Sequence, residues 1–365
     1  MPCILARRTC NHGYFCTGSE SLTFGDMKAF ELAQYGYDGL RLAERPQPSP
    51  GPGQLLLRMR AAALNYRDLS VLRGEYASLP LPVIMGSDGV GEVVAVGAGV
   101  TKFALGDRVL LLYITNWIDG APPEENMRRL GGPLDGTFAE YVVIQEDGAV
   151  HAPAHLSDVE AATLPVAGLT AWHMLFAHGH LRLGESVVVQ GTGGVSLFAL
   201  MLARAAGAEV IVTSGSDEKL ARAKALGAHH VINYRTTPDW DVRVREITRG
   251  RGADHVIDVA GGEELTRSIK AARIAGTVYV TGFVAGLNAN FALLPAITKR
   301  VRLQAVSGGH RASLEALARS TELHREIRPV IDRTFHFTEL REALRHLDKG
   351  GHFGKVALSF EGTHS

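Results

Sequence analysis

One short stretch narrows the folding options of this chain more than any other. It is Gly191-Thr192-Gly193-Gly194-Val195-Ser196, which follows the β-branched run 187–190 and opens the helix-forming stretch 195–206. A glycine turn between a strand and a helix lets backbone amides approach a diphosphate. Gly191 permits the turn, and Gly193 removes a Cβ so that the main chain can meet a pyrophosphate. The helix beginning near Gly194 supplies unpaired N–H groups and the positive end of its dipole. Thr192 and Val195 belong to the same phosphate-facing turn. Ser196 stands where the fingerprint usually has Gly or Ala, and its small side chain still allows close helix–strand packing.

The turn sits at the head of a repeating pattern. Residues 187–190, 209–213, 230–233, 255–259 and 277–281 are β-branched runs separated by helix formers. Such alternation predicts a parallel sheet covered on both faces, an α/β doubly wound arrangement. Asp217 is the expected cap of the helix 217–226, and Gly207 and Gly227 stand where helices stop. Residues 301–306 form a further strand at the sheet edge. Helices around 313–320 and 337–347 then lead to a last strand, 355–360. Upstream, residues 27 to about 150 carry short strands at 27–32, 55–57, 91–96, 108–112 and 141–144, with a Pro-Gly connection at 46–53. That texture predicts a small antiparallel barrel or sandwich. The weakly periodic stretch 112–138 reads as a long functional loop, with a short helix at 124–130.

Composition narrows the function. The 365 residues suit two domains, and 46% apolar with 21% charged residues is ordinary globular composition. Formal net charge is zero, which points away from nucleic acid or an anionic membrane as partner. No run is long and apolar enough to span a bilayer. The three cysteines, Cys3, Cys10 and Cys16, are confined to the N-terminal tail. That distribution is no disulfide framework and implies a reducing, cytoplasmic compartment. Together with His12 the thiols match no common zinc spacing. Residues 1–26 read as a disordered extension or an artefact of the assigned start.

The end of the second strand bears on the choice of cofactor. NAD binders usually place Asp or Glu there for the ribose 2′-hydroxyl. This chain has Val212-Thr213-Ser214-Gly215-Ser216, with no acid before Asp217. The hydroxyls of Ser214 and Ser216 tolerate a 2′-phosphate, Lys219 offers a charge and Tyr234 a hydroxyl. NADP(H) is therefore favoured, with NAD(H) the alternative. Val259, Gly282 and Phe283 follow strand ends, where a doubly wound sheet binds its ligand, and Gly354 and Lys355 precede the last strand.

Several motifs in order carry a resemblance. They are Leu64-Asn65-Tyr66-Arg67-Asp68, Gly86-Ser87-Asp88-Gly89-Val90-Gly91, Gly106-Asp107-Arg108-Val109, Gly168-Leu169-Thr170-Ala171, the glycine turn, and Phe353-Gly354-Lys355-Val356. With them the chain resembles the medium-chain dehydrogenase/reductase superfamily from Met27 to about Phe360. The resemblance implies a GroES-like β-rich catalytic domain, 27–156 completed by 312–365, around a Rossmann domain, 157–311. Zinc-binding members of that family use Cys, His and Cys. Here Asn65 stands at the first position, Gly86-Ser87-Asp88 replaces Gly-His-Glu, and Pro165-Val166-Ala167-Gly168 replaces the stretch with the second Cys. The stretch 112–138 lacks the cysteines of a structural zinc lobe. The chain is therefore similar to the zinc-independent, quinone oxidoreductase-like or zinc-less alcohol dehydrogenase-like branch, and no metal is expected.

Without a Lewis acid, alcohol oxidation loses several kcal/mol of alkoxide stabilisation, whereas quinones and activated alkenes need only hydrogen-bond donors at oxygen. The resemblance places Asn65, Tyr66, Asp88 and Thr170 around nicotinamide and substrate, with Tyr66 the candidate proton donor. Asn65 orients substrate or satisfies local backbone. Asp88 acts in catalysis, pairs with Arg67 or shapes a turn. Trp117 belongs to a substrate lid or the surface. The expected function is NADPH-dependent reduction of a quinone or enone. The alternatives are a metal-free alcohol or aldehyde oxidoreductase and a non-catalytic dinucleotide-binding sensor or structural protein. Relatives commonly pair at the edge strand, so a homodimer is expected.

Overall fold

The structure is a computed structural model and describes residues 25–75, 79–123 and 127–361. The expectations for Cys3, Cys10, Cys16 and His12, and for most of the 1–26 extension, lie outside the described residues. Asp26 already belongs to a strand, Asp26–Leu32.

A six-stranded, wholly parallel sheet carries the second half of the chain. From edge to edge the strands are His230–Asn233, Glu209–Ser214, Ser186–Gln190, Ala253–Asp258, Ala272–Val280 and Arg302–Ala305. Numbered along this domain the order is 3-2-1-4-5-6, the doubly wound Rossmann order. Every residue of Ser186–Gln190 and of Ala253–Asp258 is buried. The run Val187-Val188-Val189 suits a strand covered on both faces. The chain departs in opposite directions from these two central strands, so a crevice opens between their carboxyl ends, beside the glycine turn. The helix Gly194–Ala205 covers one face with eight buried residues. The next helix, Asp217–Ala225, corrects one expectation. Its N-cap is Ser216, whose hydroxyl accepts the Lys219 amide at 3.3 Å, and Asp217 is the first helical residue.

The other half is β-rich and GroES-like. A three-stranded sheet has Asp26–Leu32 at its centre, paired with Leu40–Pro46 on one side and Val83–Ile84 on the other. A seven-stranded sheet is built around Gln54–Ala63, Asp88–Val96 and Arg108–Leu111. Two strands from the far end of the chain, Ile331–His336 and Lys355–Ser359, complete it. Lys355–Ser359 runs antiparallel to Gln54–Ala63, with Ala357 opposite Ala63 and Ser359 opposite Ala61. The helix Leu340–Asp348 holds this return in place. Its Leu340, Ala343, Leu344 and Leu347 are buried at the i, i+3, i+4, i+7 spacing of one helix face. The returning strand thus delivers Lys355 beside Leu64 and Asn65.

Two expectations about the long loop need correction. Residues 124–126 lie outside the described residues, and 127–130 form no helix. Arg129 instead bridges Ile114, and Leu130 bridges Leu134. Trp117 is no surface aromatic. It is 7% exposed and clusters with Tyr113 and Ile114, so it anchors the loop.

Candidate active site

The glycine turn has the geometry needed for a diphosphate. Gly191 has φ of +71°, a conformation that a Cβ makes costly, and its amide donates to the Thr213 carbonyl at 2.7 Å. A Cβ placed on Gly193 would meet no atom within 4 Å, so the turn opens onto free space there. The first intrahelical bond to Gly193 comes from Leu197, which leaves the amides of Gly194, Val195 and Ser196 without intrahelical acceptors. The Ser196 hydroxyl donates back to the Gln190 carbonyl at 2.7 Å, so this residue ties helix to strand. Gly194 is required for another reason. A Cβ there would lie 2.4 Å from Lys355 Cδ, so the lysine stem passes directly against the helix start.

That lysine is the centre of a buried polar network. Lys355 Nζ donates to Asp88 Oδ2 at 3.1 Å, to Asn65 Oδ1 at 2.7 Å and to the Leu64 carbonyl at 2.7 Å. Asn65 Nδ2 donates to Asp88 Oδ2 at 2.9 Å, and the Val166 amide donates to Asp88 Oδ1 at 2.7 Å. Asp88 is fully buried and Lys355 is 4% exposed. Burial pushes the Asp88 carboxyl above its ordinary range, while Lys355, Asn65 and the Val166 amide pull the other way. Asp88 therefore pairs with Lys355, whereas Arg67 donates to the Gly131 and Gly132 carbonyls. One residue before Lys355, the Gly354 amide donates to the Thr192 carbonyl at 2.9 Å. The glycine turn and the Lys355 network are thus joined through adjacent residues.

Asn65 also caps the helix Tyr66–Leu72. Its amide donates to Asp68 Oδ2 at 2.7 Å, one half of a capping box. Asp68 is fully buried, and burial, opposed most by Arg67, pushes its carboxyl up to about 6. Tyr66 is the first helical residue. Its half-buried ring meets Phe283 edge-on, with centroids 5.6 Å apart, across the cleft between the domains. Val259 and Gly282 lie together at the carboxyl ends of neighbouring strands, since a Cβ on Gly282 would sit 2.1 Å from the Val259 carbonyl oxygen. Thr170 is buried on the short helix Leu169–Trp172.

At the far end of the turn, Ser214, Ser216 and Tyr234 gather around Gly215. A Cβ on Gly215 would lie 2.8 Å from the Tyr234 hydroxyl and 2.8 Å from Arg235 Nε. Arg235 was not singled out in the sequence, although it directly follows Tyr234 and supplies the cation expected there. Lys219 turns elsewhere: its ammonium donates to the Gly350 carbonyl at 3.0 Å. Beside it, the Arg222 guanidinium lies 3.9 Å above the Phe353 ring. The sequence pattern also missed Lys355 as the partner of Asp88, because 267 positions separate them.

Known families and solved structures share the two-part architecture of this chain. The family model described as alcohol dehydrogenase GroES-like domain matches residues 51–154, and that described as zinc-binding dehydrogenase matches 194–322. A zinc-type alcohol dehydrogenase-like protein of Schizosaccharomyces pombe is 41% identical, covering 89% of this chain and 96% of its own. An acryloyl-coenzyme A reductase of Metallosphaera sedula is 32% identical, covering 88% and 96%. The crystal structure of a putative alcohol dehydrogenase from Sinorhizobium meliloti superposes with a TM-score of 0.87 at 45% identity, covering 92% and 99%. A Rossmann turn, a GroES-like β domain and relatives matched over nearly their whole length lead to one conclusion: the chain belongs to the medium-chain dehydrogenase/reductase superfamily and is an oxidoreductase of its alcohol dehydrogenase-like family.

Proposed function

We propose that this protein is an NADPH-dependent oxidoreductase that reduces a quinone or an activated alkene, such as an enone, without a metal. The observation that carries the reading is the Lys355–Asp88–Asn65 network. Tetrahedral zinc calls for thiolate, imidazole or carboxylate donors with free lone pairs. The positions where zinc-binding relatives place their ligands hold Asn65 and Ser87 instead. The nearby carboxylate of Asp88 is already engaged by an ammonium and two N–H groups. That donor set does not fit zinc.

When bound, reduced nicotinamide supplies the hydride. The chain supplies the rest. The glycine turn and the helix Gly194–Ala205 hold the diphosphate, and Ser214, Ser216, Tyr234 and Arg235 surround the place of a 2′-phosphate. Tyr66 gives a proton to the developing enolate or phenolate oxygen. The acceptor thereby gains one hydride and one proton, two electrons in all. Thr170, Val259, Gly282 and Phe283 line the nicotinamide side, and Lys355 fixes Asn65 and Asp88 beneath the pocket. The name of the Metallosphaera sedula relative specifies an activated alkene as acceptor, which supports this acceptor class.

The domain division proposed is 27–156 with 312–365, and 157–311. Among the described residues no helix is long and apolar enough to cross a membrane, and a reducing cytoplasm is the proposed compartment. The outer edge strand Arg302–Ala305, with exposed Leu293, Leu294 and Ile297 nearby, supports pairing into a homodimer. The name of the Schizosaccharomyces pombe relative, zinc-type alcohol dehydrogenase-like, supports a second reading, an alcohol oxidoreductase, which the donor set of this chain would make metal-free. An assay of NADPH oxidation across enones and quinones, set against NADP+ reduction by secondary alcohols, separates the two. The proposal expects turnover in the first arm; turnover confined to the second overturns it.

A further inference from the structure

His173 lies one helical turn beyond Thr170, where a short α-helical stretch, Leu169–Trp172, passes into the π-helical turn His173–His178. Such irregular turns within a helix are often found at functional sites. The side chain is 1% exposed. Its Nε2 accepts the His310 amide at 3.2 Å, across 137 positions of sequence. Because Nε2 accepts, the ring proton sits on Nδ1. Burial first, then the neighbouring His310 and His178, lower its basicity to about 3, so the ring stays neutral and remains an acceptor. A Cβ on Gly309 would lie 2.4 Å from His173 Cδ2, so only glycine lets the backbone come this close.

The segment held in this way has a particular place. Residues 306–310 follow the carboxyl end of Arg302–Ala305, the last strand of the second half of the sheet. In a doubly wound sheet each half receives one mononucleotide at its carboxyl ends. The first half carries the glycine turn, so the second half takes the nicotinamide nucleotide. The long loop is tied to the same point. Trp117 packs edge-on against His173 and His310, at 5.2 and 5.7 Å between centroids. The Trp117 and Ile118 carbonyls accept the Arg311 and Ala312 amides at 2.9 and 3.0 Å.

We infer that His173 is a positioning residue for the nicotinamide end of the cofactor, holding the backbone of residues 306–310 through its bond to the His310 amide. The inference rests on the dinucleotide-binding reading above and adds a residue that touches neither cofactor nor substrate. Its hydrogen bond goes to the segment after the last strand of the second half and not to the glycine turn, so a positioning role predicts an effect confined to the nicotinamide end.

Calorimetry with two probes on the full-length protein tests it: NADPH, and adenosine 2′,5′-bisphosphate, which lacks the nicotinamide half. His173→Leu is expected to weaken NADPH about tenfold, the scale of one lost buried hydrogen bond with loss of order. The bisphosphate affinity should stay unchanged. His173→Gln, which keeps an acceptor, should recover much of the loss. Equal weakening of both probes, or of neither, overturns the inference. If His173→Leu does not fold, His173→Phe, which fills the space without an acceptor, takes its place: weaker NADPH with unchanged bisphosphate is expected, and parallel behaviour of the two probes is contrary. Should wild-type protein bind only NADH, then NADH and 5′-AMP serve as the pair and are read in the same way; protein that binds none of these overturns the dinucleotide reading itself, and this inference with it.

Discussion

Lys355 and Asp88 form an ion pair of 3.1 Å inside the protein, with both side chains almost wholly removed from solvent. Removing one member of such a pair leaves an uncompensated buried charge, which typically costs about 3–5 kcal/mol. Lys355→Met should therefore destabilise the protein by roughly that amount in a urea titration. Asp88→Asn combined with Lys355→Met should recover part of the loss, because the stranded carboxylate is gone. Equal stability of Lys355→Met and wild type would show that the pair carries little of the local structure.

Tyr66 occupies the first turn of a capped helix with its ring against Phe283. Tyr66→Phe keeps that contact and removes only the hydroxyl. Turnover of an enone with NADPH should fall about tenfold or more if the hydroxyl is the general acid. Thermal unfolding should move little. Unaltered turnover would assign the proton donation elsewhere.

Arg235 stands with Tyr234 over Gly215. A charge-assisted bond to a 2′-phosphate contributes about 1.5–3 kcal/mol. Arg235→Ala should accordingly raise the KM for NADPH about tenfold or more, with the KM for NADH unchanged. A parallel change in both would place Arg235 outside the cofactor's specificity.

Asp68 introduces a pH dependence of stability. Its carboxyl, ordinarily near 3.8, is pushed up to about 6 by burial. In the interval between those values the folded state holds a proton that the unfolded chain has lost. The group's contribution is thus fully present below about 3.8 and is lost as pH rises through about 6. Asp68→Asn removes the titration and keeps an acceptor for the Asn65 amide. Wild type should lose on the order of 1–3 kcal/mol relative to this variant between roughly pH 4 and pH 7. Denaturation curves at the two ends of that range measure the difference, and a constant gap between the proteins would contradict it.

Much of the fold was legible because its signals are local. The glycine turn and the alternation of β-branched runs with helix formers each lie within a short window. Strand ends shifted by a few residues, as at Ala272–Val280, where pairing with neighbours sets the limits. The helix cap at Ser216 rather than Asp217 reflects two adjacent residues that are both good caps. The site was only partly legible. Asn65, Asp88 and Lys355 were singled out, yet what joins them is a strand returning from the end of the chain, which no local spacing encodes. The same return draws Lys219 to the Gly350 carbonyl and leaves Arg235 beside Ser214 and Ser216. Likewise, the packing of Trp117 against His173 and His310 depends on three distant segments meeting.

Hydride transfer from NADPH without a metal is tested by joining elemental analysis to activity on one sample. The purified protein is assayed for zinc by mass spectrometry and for NADPH oxidation with an enone, before and after EDTA treatment. Zinc well below one equivalent and turnover unchanged by EDTA are expected. Stoichiometric zinc, with turnover lost on chelation and restored by added zinc, would contradict metal-free transfer.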